Sequence, residues 1–177
     1  MVSYNEKNPG EQPKPGNVSK ENVKPAGSAK QAKPLAEGAA QTIKQKRVLI
    51  VDDEPDVRRF LEKALTNGKF IPGVTFVPTA VENGIQAFEE WDKNQNLNQI
   101  FDLIITDRDM GGISGIALAE HVRKTNRQVP IILFSGRSKE DDMELQNAIV
   151  SYNINLIQKP VELSIIRSKV REVLNIA

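Results

Sequence analysis

Asp52 and Asp53, Asp107, Ser135 and Lys159 each close a short apolar run: Arg47 to Val51, Leu103 to Thr106, Ile131 to Phe134 and Asn155 to Gln158. Carboxylates, a hydroxyl and an ammonium are the groups that hold and transfer a phosphoryl group. Carboxylates gathered in one place repel one another, and one takes up a proton unless a cation intervenes. An all-oxygen site that keeps several waters suits Mg²⁺, which prefers one or two carboxylates plus phosphate oxygens to a full protein cage. The lysine adds a positive charge, and the serine a neutral donor, for the three equatorial oxygens over which a transferring phosphoryl group spreads its charge. One of the carboxylates can itself be the nucleophile.

The elements that must gather these residues are legible in the same runs. Strand-like and helix-like stretches alternate from Lys46 onward, which predicts an α/β domain with a doubly wound parallel sheet, covered by helices on both faces. Val48 to Val51 precedes a helix from about Pro55, a good first-turn residue, with Val57, Phe60, Leu61, Ala64 and Leu65 at helical spacing. Val74 to Val77 is the weakest strand, and the helix after it, from about Glu82, carries Ile85, Phe88 and Trp91. Phe101 to Thr106 leads through Gly111-Gly112 into a helix from Ser114 with Leu118 and Val122 inward. Pro130 to Phe134, a polar helix over Lys139 to Val150, a strand over Ile154 to Ile157 and a last helix with Ile166, Val170, Val173 and Leu174 complete a three-layer α/β/α sandwich. The ends of parallel strands converge on one crevice, so the polar residues are expected along one rim.

Residues 1 to 44 are different in kind. Their five prolines, single aromatic (Tyr4) and lack of an apolar run predict a disordered Pro/Lys-rich tail ahead of a domain over 45 to 177. Seven lysines against four glutamates give the tail +3, and with +1 for the whole chain the domain carries −2, which argues against nucleic-acid binding by bulk charge. Lys14-Pro15, Lys24-Pro25 and Lys33-Pro34 suit a soluble spacer, with docking of the pre-extended tail as the alternative. No apolar leader or membrane-length stretch is present, so a cytoplasmic protein without membrane contact is expected. With no cysteine in the chain, disulfides, thiolate zinc sites and cysteine nucleophiles are excluded.

Val51-Asp52-Asp53-Glu54-Pro55, Asp102 to Asp107, Leu133-Phe134-Ser135-Gly136 and Gln158-Lys159-Pro160 together resemble the receiver domain of two-component response regulators, in order and spacing, over about residues 46 to 177. The resemblance implies a flavodoxin-like sheet of order 2-1-3-4-5. It implies that Asp107 accepts a phosphoryl group from a sensor histidine kinase or phosphotransfer protein. Mg²⁺ would be held by Asp53 and Asp107 directly, by Asp52 through water and by the backbone carbonyl of Asp109. Lys159 would pair with the phosphoryl oxygens, Ser135 would swing inward onto them, and Gly136 would keep the approach open. A downstream protein partner, and a monomer or phosphorylation-dependent dimer, go with that reading.

Three departures stand out. Met110 is followed by Gly111-Gly112 where the family usually has proline, which should loosen the loop. Leu156 replaces the family's switch aromatic, and the sequence stops at the fifth helix, as expected of a single-domain regulator. Asp109 and Arg137, two residues beyond the acceptor and the hydroxyl, invite an ion pair. Two other functions compete. Asp107-Arg108-Asp109 with Ser135 and Lys159 also resembles the haloacid-dehalogenase phosphatases, although their acidic pair lies late in the chain. A receiver-like module that docks a partner without phosphorylation is the other. His121 reads as an ordinary helical residue, Trp91 as a core closure, and Glu140-Asp141-Asp142 as a solvated helix start.

Overall fold

The computed structural model describes residues 43–67, 70–138, 140 and 142–176. The expected tail lies outside the described residues except for Ile43 and Lys44, and Lys44 already belongs to the first strand. Five strands alternate with five helices: β1 (Lys44–Val51), α1 (Pro55–Thr66), β2 (Val74–Val81), α2 (Gly84–Asn96), β3 (Leu103–Asp107), α3 (Gly115–Thr125), β4 (Ile131–Ser135), α4 (Met143–Tyr152), β5 (Ile154–Gln158) and α5 (Leu163–Leu174). The sheet is parallel throughout, in the order β2-β1-β3-β4-β5.

The inner strands read as unbroken apolar runs because both of their faces are covered. Leu49 and Val51 of β1, Ile104 of β3 and Ile131 and Leu133 of β4 face one core with Trp91, Leu118, Val122 and Leu145 from α2, α3 and α4. The alternate residues Val48, Ile50, Leu103, Ile105, Ile132 and Phe134 face the other core with Leu61, Leu65, Ile166 and Val170 from α1 and α5. The predicted three-layer sandwich is therefore present. Local signals set the helix starts: Pro55 opens α1, and the side chains of Asn83, Ser114 and Asp142 accept from Gln86 N, Ala117 N and Leu145 N to cap α2, α3 and α4.

Three elements differ from the sequence reading. β2 continues through Pro78 to Val81; it is an edge strand, where the missing proline donor costs no ladder bond on the open side. On α2 the buried stripe is Gly84, Ala87, Trp91 and Asn94, whereas Ile85 is 59% exposed. Asn94 turns inward because Arg47 Nη2 donates to its Oδ1 at 2.5 Å and its own amide donates to Glu90 O at 2.7 Å. α4 begins at Met143 and not near Lys139, since Asp142 takes the capping position.

Register positions the rim. Val51 lies opposite Thr106, so Asp52 is level with Asp107; Asp107 lies opposite Phe134, and Ser135 opposite Gln158. Ser135 and then Lys159 each stand one residue further along, a shallow staircase across four strands. The loop after β3 is not loose at its start: Met110 is buried in the core, and Gly112 takes the left-handed turn at φ 89° that a side chain would strain. α3 is pressed against the rim from below. A Cβ at Gly115 would collide with the Asp107 carbonyl oxygen and lie 2.7 Å from Leu133 Cδ1. Gly115→Ala should therefore lower the unfolding free energy by about 1–3 kcal/mol through overpacking, read as a lower urea midpoint; an unchanged midpoint would mean that α3 has room to withdraw.

Candidate functional site

Asp107 ends β3 almost fully buried, and its Oδ1 lies 2.7 Å from Lys159 Nζ, which reaches across from the end of β5. Lys159 precedes a cis peptide to Pro160. Burial opposes the Lys159 ammonium, but its bond to Asp107 and the charges of Asp107, Asp52 and Glu54 outweigh that penalty and raise its pKa. Thr106 supports the same corner by donating its hydroxyl to the Asp107 carbonyl at 2.9 Å.

Asp52 is the most enclosed charge of the site, with no solvent exposure. Its Oδ1 accepts from Glu54 N at 2.9 Å, and its Oδ2 is buried without a partner. Desolvation pushes its pKa up from 3.8 to about 6; the Glu54 amide and Lys159 pull it down, and Asp107 and Asp53 add repulsion. A buried carboxylate oxygen left without a donor, beside a second buried carboxylate, is the donor set that a hard cation satisfies. Asp53 is exposed, and its backbone carbonyl, like that of Asp52, accepts from Arg58 Nη1. Among the described residues no three acidic or imidazole side chains form a ligand cluster; Asp107 and Asp53 both stand near enough to Asp52 to repel its charge, Asp107 buried and Asp53 exposed.

Ser135 is buried at the end of β4, but its hydroxyl is turned onto its own loop. It donates to Arg137 O at 3.1 Å and accepts from Arg137 N at 3.0 Å. A Cβ at Gly136 would meet nothing within 4 Å, so the approach beside it is open. The anticipated pair between Asp109 and Arg137 is present at 3.7 Å, with both side chains more than half exposed.

Sequence reasoning missed the group beneath that pair. Arg108 is the one buried cation among the described residues, and its Nη1 lies 2.7 Å from Asp142 Oδ2. Its Nη2 is 3.3 Å from Glu144 Oε2, and its Nε is 3.7 Å from Asp109 Oδ1. Desolvation opposes the guanidinium, yet Asp142, Asp109 and Glu144 raise its pKa overall, and Arg108 beside Asp142 holds that carboxyl below the ordinary range. Asp142 is thus a helix start, as expected, but a covered one. No periodic signal links positions 108 and 142; the only clue was an arginine directly after a strand-end aspartate. His121 bridges α3 to α2 through Asp92 Oδ1 at 2.8 Å, stacked on Phe88, consistent with an ordinary helical residue. Leu156 is half-buried against the core of α2, α3 and α4.

Residues 48–171 match the response regulator receiver domain family. The chain belongs to that family. This receiver domain is 33% identical over 96 residues to the uncharacterized transcriptional regulatory protein YrkP of Bacillus subtilis, covering 54% of this chain and 36% of that protein. It is 29% identical over 130 residues to the chemotaxis protein CheY1 of Helicobacter pylori, covering 72% and 96% of the two chains. Among solved structures it is similar to the receiver domain of the sensor histidine kinase PA1611 from Pseudomonas aeruginosa, described with a magnesium ion coordinated in its active site cleft. That likeness has 19% identity and a TM-score of 0.59 and covers 74% of this chain and 98% of that one. The chain spans about a third of YrkP and of the protein-glutamate methylesterase of Trichodesmium erythraeum, which it also matches. The flavodoxin-like order is that of a receiver, and this is a two-component signalling domain with the layout of the chemotaxis receivers. No helix among the described residues is long and apolar enough to cross a membrane.

The Asp52 carboxyl has a stability consequence of definite sign. Its pKa is higher folded than unfolded, so the folded state binds the proton more tightly. Below pH 3.8 it makes no difference; stability is then lost as pH rises to about 6, and the cost persists above. Asp52→Asn, which removes that charge, should raise the thermal midpoint at neutral pH and leave it unchanged below pH 3.8. Equal midpoints at neutral pH would show that the carboxylate is solvated in the folded protein.

Proposed function

We propose that this receiver domain accepts a phosphoryl group on Asp107 from the phosphohistidine of a sensor histidine kinase or phosphotransfer protein. The observation that carries this reading is the 2.7 Å contact of Lys159 with Asp107, beside the buried, half-satisfied Asp52. An Asp107 oxygen attacks phosphorus as the nitrogen–phosphorus bond of the donor breaks, and the imidazole leaves with the bonding pair. Lys159 already neutralises the attacking carboxylate and follows the charge onto the phosphoryl oxygens. Ser135 leaves its two bonds to the Arg137 backbone to donate to one of those oxygens.

Asp52 and Asp107 would hold Mg²⁺, with the Asp109 carbonyl and, after a rotation of its exposed side chain, Asp53. The cation would supply charge neutralisation to the incoming phosphate oxygens. The magnesium described in the PA1611 receiver supports this assignment. A cytoplasmic site of action suits a kinase donor, and a downstream partner reads the altered surface. A phosphatase reading is disfavoured because the acidic residues stand on β1 and β3 in receiver order, and the match over 48–171 is to a signalling domain. A purely docking module has no use for a lysine held on a buried carboxylate.

Two experiments test the reading. Magnesium-dependent labelling by acetyl phosphate is expected in the wild type and lost in Asp107→Asn, followed by intact mass; labelling that survives the substitution would assign the acceptor elsewhere. The second concerns lifetime. Asp109 and Arg137 flank the open approach beside Gly136, and exposed pairs contribute only about 0–1 kcal/mol to stability. Arg137→Ala should change the dephosphorylation rate several-fold with little change in thermal midpoint, and identical decay in both proteins would remove the pair from the water path.

A further inference from the structure

Arg108, the chain neighbour of the proposed acceptor, is tied to the first turn of α4. We propose that the Arg108–Asp142 ion pair transmits the state of Asp107 to α4, a regulation of the site that rests on the acceptor reading above. The geometry of both partners supports it. Arg108 N donates to Phe134 O at 2.9 Å and Arg108 O accepts from Gly115 N at 3.0 Å, so its backbone is fixed between β4 and the start of α3. Its guanidinium is 4% exposed, and Nη1 lies 2.7 Å from Asp142 Oδ2 as a close charge contact without hydrogen-bond alignment, so the pair is held by charge and burial. The other oxygen of Asp142 accepts from Leu145 N at 3.0 Å, so one carboxylate both caps α4 and neutralises the residue next to Asp107.

A buried cation stripped of its partner is strongly disfavoured, so Asp142 and the turn it caps must follow Arg108 when the end of β3 adjusts. A second link converges on the same carboxylate. Ser135 holds the Arg137 backbone on both sides, and Arg137 Nη1 lies 3.8 Å from Asp142 Oδ2. If Ser135 turns to a phosphoryl oxygen, that hold is released and Asp142 loses its secondary cation. Arg108 is the one buried cation among the described residues, and the route to α4 through Asp142 starts from it. The surface it would shift is distinctive: Met143, directly after the cap, and Val150, two turns on, are 78% and 83% exposed.

The test uses the full chain with Mg²⁺ and beryllofluoride, followed by amide chemical shifts. In the wild type, shifts are expected at Asp107, Gly136 and Lys159 and through Asp142 to Gln146, with small shifts around Leu156. Asp142→Asn keeps an oxygen for Leu145 N but removes the charge; the site shifts should persist while those of the first turn of α4 fall to less than half. Arg108→Met, which keeps the apolar stem, should give the same pattern from the other side. Undiminished α4 shifts in both variants, with site shifts intact, would overturn this inference alone. Absence of site shifts in the wild type would overturn the acceptor reading and this inference with it.

Discussion

The contact of Lys159 with Asp107 is the interaction on which the rest of the rim depends, because it lets a carboxylate stay buried at the end of a strand covered on both faces. Its two partners come from β3 and β5, which are not neighbours; β4 lies between them. The lysine reaches Asp107 because register advances by one residue per strand from β3 to β5, bringing the stem over the end of β4. A slip of one residue in either ladder would turn the apolar sets of the inner strands to the wrong core, so the packing that secures the fold also secures the site. Gly115 shows how tight this is: α3 approaches the Asp107 carbonyl so closely that no side chain fits between.

Charge at the rim is divided among unlike environments. Asp52 has burial without a partner for Oδ2 and is pushed toward protonation near neutral pH. Asp142 has a cation and a backbone donor and is pushed the other way. The first carboxylate therefore has one oxygen without a compensating partner, and the second is the anion paired with a buried arginine. Asp109 and Arg137 lie between these extremes, exposed and separated by 3.7 Å, where solvent screens them and motion is cheap. A pair anchored by a buried arginine thus adjoins an exposed pair that is free to open.

Much of this was legible in the sequence, for a physical reason. Strands buried on both faces must be apolar throughout, so β1, β3 and β4 announced themselves, and polar residues at their ends were conspicuous by contrast. Legibility failed where burial was one-sided or polar. The second strand was expected to stop at Val77, but Pro78 on an edge strand interrupts nothing and β2 runs on to Val81. Ile85 looked like a core residue of α2, and Asn94 did not; the helix turns Asn94 inward because Arg47 supplies the donor. Arg108 was passed over because an ion pair between distant segments leaves no period to detect. Within the expected set of three carboxylates, Asp52 and Asp107 are buried and Asp53 is exposed, a difference between adjacent aspartates that a sequence does not display.

The orientation of Ser135 bears on how a switch at this rim is balanced. Its two hydrogen bonds to the Arg137 backbone are of the neutral kind, each worth about 0.5–1.5 kcal/mol net. A single bond from its hydroxyl to an anionic phosphoryl oxygen is worth about 1.5–3 kcal/mol. The exchange is therefore nearly even, and on the acceptor reading neither position of Ser135 is locked. The balance is then decided by the contacts that the Arg137 backbone carries with it once released. In a receiver with an aromatic on β5, filling of the vacated space adds to that balance. Leu156, half-buried against the core of α2, α3 and α4, offers no ring for that purpose, and on the proposed route the contacts around Asp142 would carry more of the difference between states. On that reading, an arginine buried directly after Asp107, paired with the carboxylate that caps a helix exposing Met143 and Val150, is the arrangement through which so even a balance at the rim would be carried to the surface.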